Sequence, residues 1–211
     1  MVFGQAVRRS FGALSLALAI GIGSGSASAE VDAKTFATKE PVPAFNLKDH
    51  KGKTFDQTRF TGQWSLVLLG YTYCPDVCPF TLNNIALVIE QLGFRVRPGG
   101  LPQVVFVGVD PERDKEVIAD YVVNFHDDFI GVTGAWPEIK RLVEGVDGFV
   151  RLEKKKPDDE DYTVRHNANV LVIDPKGRIH ASINPPFEPN KTAEYLAKLF
   201  RDERRQSRLS N

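Results

Sequence analysis

The 211-residue chain is short of most reactive and adhesive side chains: it has two Cys, four His, two Trp and one Met, the initiator. Its 27 basic and 27 acidic groups cancel, so no global field recruits nucleic acid or an anionic membrane. No long hydrophobic run interrupts it; the longest uncharged apolar stretch, near the N-terminus, is about 12 residues against the roughly 20 that a bilayer span needs. With 42% hydrophobic and 26% charged residues, these absences exclude a disordered chain, a collagen and a multi-span membrane protein, and leave one ordinary globular domain.

The first 29 residues are set apart. Arg8 and Arg9 precede the apolar-to-small stretch of residues 11–22, followed by Gly and Ser and then Ala27-Ser28-Ala29, a small-x-small pattern that suits a signal peptidase. Residues 1–29 are therefore expected to be a secretory signal peptide, or alternatively an uncleaved N-terminal membrane anchor, leaving residues 30–211 as the folded domain. Arg8-Arg9-Ser10-Phe11 also fits a twin-arginine signal. Because residues 1–29 hold two Arg and no acid, cleavage after Ala29 would leave 25 basic and 27 acidic groups and no Met.

Export to an oxidising compartment makes a structural disulfide the first reading of two cysteines. Their spacing argues against a mere staple: Cys74 and Cys78 enclose three residues, and so short a loop removes little entropy from the unfolded chain. A domain of about 180 residues also buries enough core to do without one.

The surroundings of the pair have an α/β pattern. Residues 64–70, Trp-Ser-Leu-Val-Leu-Leu-Gly, read as a strand covered on both faces. Leu82, Ile85, Ala86, Ile89 and Leu92 then recur at helical spacing up to Gly93. The cysteines thus fall at the carboxyl end of a central strand, where open α/β sheets place their chemistry. If the helix begins near Cys74, both sulfurs share one face and the positive helix end favours thiolate. A second buried strand is expected over residues 103–110, a helix over 114–125 capped by Asp114, another over 135–144, a hairpin over 169–182 and a last helix over 189–205. Residues 44–47 and 53–55 flank a Gly52 turn as an N-terminal hairpin. The charged run of residues 154–161 reads as a solvated loop, with a docking patch as the alternative.

In order along the chain, GYTYCPDVCPFTLNNI, VFVGVDPERD, FIGVTG and VRHNANVLVIDPKGRI resemble the Sco/SenC family over residues 42–200. The resemblance implies a thioredoxin-like fold, with a central sheet flanked by helices behind an N-terminal β-hairpin. It also implies a copper metallochaperone, in many members a thiol-disulfide reductase as well, serving the binuclear copper centre of cytochrome c oxidase subunit II or another copper-oxidase acceptor. It assigns one copper, Cu(I) or Cu(II), to two motif cysteines and one histidine, here Cys74, Cys78 and His166. A periplasmic location follows, at the outer face of the inner membrane if the N-terminal segment is retained, and a monomer is the default.

Ligand chemistry agrees. Thiolate selects Cu(I), and two thiolates with an imidazole also hold Cu(II). Among the histidines, His126 lies at the polar end of a helix and is expected to be exposed, His50 sits in a hairpin turn and His180 lies inside a strand. His166 precedes the buried strand of residues 169–173, in what reads as a loop. Asp110 is a candidate to hydrogen-bond near the site, or else to cap the helix after Pro111.

Two positions depart from the family pattern: Tyr73 stands where many relatives have His, and Arg165 where many have Asp. Arg165 would disfavour a nearby cation. Competing readings are a thiol-disulfide reductase working through Cys74 and Cys78, and a copper or redox sensor. A peroxiredoxin-type peroxidase is disfavoured because position 71 is Tyr rather than Thr. Against a conventional oxidoreductase stand the three-residue spacer and Asn167-Ala168, where thioredoxins place a proline.

Overall fold

The computed structural model describes Met1, residues 30–156 and residues 158–209. Apart from Met1, the leader expected over residues 1–29 lies outside the described residues. Among those described, no helix is long and apolar enough to cross a membrane.

Among the described residues are ten strands and five α-helices, in the order β1 (Ala33–Thr35), β2 (Asn46–Asp49), β3 (Thr54–Asp56), β4 (Ser65–Gly70), α1 (Val77–Gly93), β5 (Gln103–Gly108), α2 (Pro111–Asp114), α3 (Ile118–Val123), β6 (Ile130–Thr133), α4 (Trp136–Gly145), β7 (Val150–Glu153), β8 (Thr163–His166), β9 (Val170–Ile173), β10 (Ile179–Ile183) and α5 (Pro189–Leu209). Eight strands form one sheet in the order β1-β10-β9-β4-β5-β6-β2-β3, while β7 and β8 form a separate hairpin. The continuous apolar runs occupy the middle: β4 and β5 pair in parallel from Ser65↔Gln103 to Gly70↔Gly108, and β9 runs antiparallel on the other side of β4. Every residue of β4 and β9 is buried, as expected of strands covered on both faces.

Helices cover these strands. α1 turns Leu82, Ile85, Val88, Ile89 and Leu92 into the core, and α5 contributes Leu196, Ala197 and Phe200. Trp64, just before β4, stacks on Phe200 with ring centroids 4.4 Å apart. The α/β sheet, flanking helices and N-terminal β2–β3 hairpin agree with the sequence reading, and α5 runs one turn beyond the expected end.

Three expectations are corrected. The helix expected over residues 114–125 is divided into α2 and α3, and Asp114 does not cap it. Its carboxylate is fully buried and accepts bonds from Thr72 N, Thr72 Oγ1 and Asp110 N at 2.7, 2.8 and 2.9 Å. Satisfying three donors beneath the cysteine loop overrides its preference for a helix start. His166 is not in a loop but ends β8, a strand whose half-exposed partner β7 carries Arg151 and Glu153. His126 is half-buried, stacked on Phe129 with centroids 5.1 Å apart.

The β9–β10 turn is pinned by Asp174, 1% exposed, which accepts from Lys176 N and Arg178 N and from Arg178 Nη2 at 2.6 Å. Burial alone would raise its pKa. The adjacent His180 ring, the Arg178 guanidinium and the two backbone N–H groups overcome this and hold it well below the usual carboxylate range. A depressed folded pKa gives stability that is fully present above the unfolded value of 3.8 and is lost as pH falls through and below it. Asp174→Ala is expected to cost about 3 kcal/mol in urea unfolding near pH 7, the low end for breaking a buried ion pair because Arg178 can re-solvate. The difference from wild type should shrink as the pH is taken below 4; a constant difference would contradict the assignment.

Candidate metal centre

β4 delivers the chain to the site at Gly70, where a Cβ would collide with the Phe106 ring and lie 3.1 Å from Cys78 Sγ. Glycine here lets the sulfur pack against the strand end. Residues 71–76 then turn into α1, which starts at Val77, so Cys74 precedes the helix and Cys78 lies in its first turn. The expectation that the helix begins near Cys74 is thereby corrected: Pro75 and the turn carry the backbone outside it.

This placement still brings the sulfurs to the helix N-terminus. Cys78 N donates to Cys74 Sγ at 3.4 Å, and both cysteines are free thiols. Their environments pull them apart. Cys74, half-buried, is lowered to about 5, chiefly because the Cys78 thiol donates to its sulfur, helped by the N–H groups of Asp76 and Cys78 and by His166. Cys78, 5% exposed, is pushed strongly up by that same bond to Cys74 and by burial. One cysteine is thus an accessible thiolate and its neighbour a buried thiol.

His166 Nε2 lies 3.7 Å from Cys78 Sγ. Its Nδ1 contacts Asn167 O at 2.7 Å. A carbonyl can only accept, so Nδ1 carries the proton and, in the neutral ring, Nε2 presents its lone pair to the sulfur. That is the tautomer required of a ligand, and two donor atoms bound to one ion at 2.0–2.3 Å lie roughly 3.7 Å apart. Asn167 does a second job: its Oδ1 accepts from Phe149 N at 2.6 Å, tying the β8 end to the entry of β7.

The other histidines make different contacts. His50 Nδ1 accepts from Gly131 N at 3.0 Å. His180, 3% exposed, places Nδ1 3.9 Å from Asp174 Oδ2. Asp174, His180 and Glu203 have ligand atoms mutually within 4.8 Å, a tighter set than Cys74, Cys78 and His166. The cations are already there, however: Arg178 Nη2 is 2.6 Å from Asp174 Oδ2 and 3.5 Å from Glu203 Oε1, and Lys39 Nζ is 2.7 Å from Glu203 Oε2. That cluster is an internally neutralised ion pair network. The cysteine–histidine set is the one with free soft donors.

Asp110 touches neither sulfur nor imidazole and makes no side-chain cap bond, although it occupies the N-cap position of α2. Fully buried, it accepts from Arg113 Nε and from Tyr162 Oη, the latter at 2.8 Å. Arg113 in turn donates to Tyr162 O at 3.1 Å and lies 3.7 Å over the Tyr162 ring. It also faces the rings of Tyr71 and Tyr73 at 5.6 and 5.2 Å. Tyr162 leads directly into β8, so this clamp fixes the strand that carries His166. Tyr71, edge-on to His166 at 6.1 Å, closes the circuit. Arg113, Asp114 and Tyr162 were not among the site residues expected from sequence. Only the acid-rich segment after β5, which bears two of these three side chains, signalled any of them.

Arg165 projects oppositely to His166 in the strand alternation and pairs with Glu153 Oε1 at 3.7 Å on the exposed face. Its charge is therefore directed into solvent rather than at the donors, which removes the expected penalty. Tyr73 lies 59% exposed beside the cysteines and offers no nitrogen.

Two outcomes are expected. Iodoacetamide should alkylate Cys74 with a reactivity midpoint near pH 5, while Cys78 reacts only on unfolding. Cys78→Ala should move that midpoint toward an ordinary thiol, and an unmoved midpoint would refute the sulfur–sulfur bond as its cause. Tyr162→Phe strands a buried Asp110 oxygen and should cost about 1–3 kcal/mol in denaturant unfolding; an unchanged midpoint would mean that the clamp holds nothing.

Comparisons with known proteins converge on one family. The sequence-family model SCO1/SenC matches residues 33–201. The chain is 37% identical over 135 residues to the human mitochondrial protein SCO2 homolog, covering 63% of this chain and 50% of that one. It is 34% identical over 160 residues to an SCO2-like protein of Rickettsia prowazekii, covering 75% of each. The chain thus spans about half the length of some of the curated relatives it matches. Among solved structures, Arabidopsis thaliana ScoI with copper bound superposes with a TM-score of 0.69 at 27% identity, covering 76% of this chain and 98% of that one. Bradyrhizobium japonicum ScoI with copper bound gives 0.66 at 28% identity, covering 76% and 99%.

Proposed function

Since this chain belongs to the SCO1/SenC family, we propose that it is a copper metallochaperone, holding one copper ion as cargo through Cys74, Cys78 and His166 and passing it to an acceptor site. The observation that carries the reading is the geometry at His166: Nδ1 lies 2.7 Å from Asn167 O, and Nε2 is aimed at Cys78 Sγ from 3.7 Å. Two ScoI proteins of the same fold were solved with copper bound. Two soft sulfurs with one borderline nitrogen suit Cu(I), and also Cu(II).

The surroundings favour a protein as recipient. Tyr73, Val77 and Phe80, all within three residues of a motif cysteine, are large apolar side chains 59, 48 and 59% exposed. Apolar rims of this kind mark protein contact surfaces. We take the acceptor to be the binuclear copper centre of cytochrome c oxidase subunit II or that of another copper oxidase. We take the protein to be an exported monomer, released by cleavage of residues 1–29 or tethered by them outside the inner membrane.

A second reading is favoured by one observation, the divergence of the two thiols. An accessible thiolate beside a buried resolving thiol is the arrangement for reducing an acceptor's disulfide before loading it. In that reaction Cys74 attacks one acceptor sulfur and releases the other as a thiol; Cys78 then attacks Cys74 Sγ of the mixed disulfide, forming the Cys74–Cys78 disulfide and releasing the second acceptor thiol. A sensor of copper or redox state would use the same three donors.

Titration of the reduced protein with Cu(I) under a competing chelator should give one equivalent per chain. His166→Ala should weaken it by about tenfold or more, as expected for a lost ligand given that even outer-shell losses cost 10–100-fold. Absence of stoichiometric copper, or unchanged affinity in His166→Ala, would overturn the chaperone reading. A Cys74–Cys78 potential too oxidising to reduce a partner disulfide would overturn the reductase reading.

A further inference from the structure

Beside the cysteine loop lies a cleft of about 920 Å³ that metal binding does not use. Tyr71, Tyr73 and Pro75 form one wall, so the cleft borders directly on the backbone that carries Cys74. Tyr162 and Arg113 lie opposite, held by the clamp described above. The rim comes from the charged run after β7, part of which therefore forms a wall rather than lying free in solvent.

The charge of this cleft is one-sided. Its lining includes five carboxylates, Glu112, Asp158, Asp159, Glu160 and Asp161, against two cations, Arg113 and Lys154. Both cations are already matched: Arg113 by the buried Asp110, and Lys154 by Glu112 at 3.0 Å. Asp159 accepts the backbone N–H groups of Lys155 and Asp161, which order the rim without neutralising it. Asp158, Glu160 and Asp161 form no ion pair among the described residues, and Lys155 and Lys156 of the same run do not line the cleft. Asp158, Glu160 and Asp161, with Asp159 also unneutralised, thus stand beside a wall of Tyr71, Tyr73 and Pro75 whose backbone carries Cys74.

We propose that this cleft is a docking groove for a lysine- or arginine-bearing segment of the protein that exchanges metal or disulfide with Cys74. The occupant's cations meet the acidic rim, while its aliphatic stems and neighbouring apolar groups pack on Tyr71, Tyr73 and Pro75. The groove presents that segment to the sulfur in one orientation and turns away anionic thiols and acidic segments. It deepens the functional reading, because it rests on Cys74 and Cys78 as the exchanging groups.

The test uses the reduced, metal-free chain, so that a failure to bind copper leaves it informative. The probes are two blocked pentapeptides, Ala-Lys-Cys-Lys-Ala and Ala-Glu-Cys-Glu-Ala, each as its symmetric disulfide. Cys74 attacks one peptide sulfur and releases a peptide thiol; Cys78 then displaces the second, so two electrons pass from the protein dithiol to the peptide disulfide. Rates are normalised to those of 2-mercaptoethanol with the same peptides. At low ionic strength the lysine peptide should react about tenfold or more faster than the glutamate peptide, and high salt should bring the ratio toward one. Asp158→Asn, Glu160→Gln and Asp161→Asn together should abolish the preference. Glu194→Gln with Asp202→Asn, two exposed acids of α5 outside the cleft, should leave it unchanged. Equal normalised rates in the wild-type chain would overturn the proposal without any variant. So would a preference that survives the triple substitution, or one that is lost equally in the α5 pair.

Discussion

The site depends on two buried carboxylates one helical turn apart after β5. Asp114 gathers the backbone and hydroxyl of Thr72 and the N–H of Asp110, and so fixes the loop that carries Cys74. Asp110 gathers Arg113 and Tyr162, and so fixes the strand that carries His166. Burial raises Asp114 to about 6 despite its three donors, showing how dry this junction is. Gly108 makes room for it: a Cβ there would lie 2.7 Å from Asp114 Oδ2. One short turn thereby sets the separation of a sulfur donor and a nitrogen donor that are about 90 residues apart in sequence.

The two cysteines illustrate how geometry divides identical chemistry. The same hydrogen bond lowers one thiol and raises the other, because stabilising an anion on Cys74 means keeping the proton on Cys78. The proposed Cu(I) binding and its alternative, disulfide reduction, would both start from this asymmetric pair, the first requiring loss of the remaining proton, the second using the thiolate as a nucleophile.

Most of the sheet was legible because its central strands are buried on both faces and read as unbroken apolar runs: Leu66 to Leu69, Val104 to Val107 and Val170 to Ile173. The motif cysteines stood out by spacing, and His166 by its place in the resemblance. What stayed hidden has a common cause. β7 alternates half-buried and exposed residues, β8 has only Val164 buried, and both carry charges, Arg151, Glu153 and Arg165, so their periodicity resembles a polar loop. Asp114 resembles a helix cap because Asp usually is one; its donors, Thr72 and Asp110, come from a turn and a loop that local sequence cannot bring together. Arg113 is equally silent in sequence, since apart from Asp110 its partners, Tyr71, Tyr73 and Tyr162, lie 40 to 50 positions away.

The hairpin that carries His166 has its own thermodynamics. β7 and β8 pair only with each other and belong to no row of the eight-stranded sheet. His166 therefore rides on a hairpin outside the main sheet, tied to the core through Val164 and the adjoining Tyr162, while Cys78 is buried against the end of β4. Local opening of such a unit costs less than global unfolding, and here it is latched to the segment after β5 by Arg113, through the Tyr162 carbonyl and ring, and by the Tyr162 hydroxyl on Asp110. If copper is held as proposed, fraying this hairpin would withdraw His166 with the sheet undisturbed, so that the latch would tune release of the cargo and the sulfurs would tune its retention.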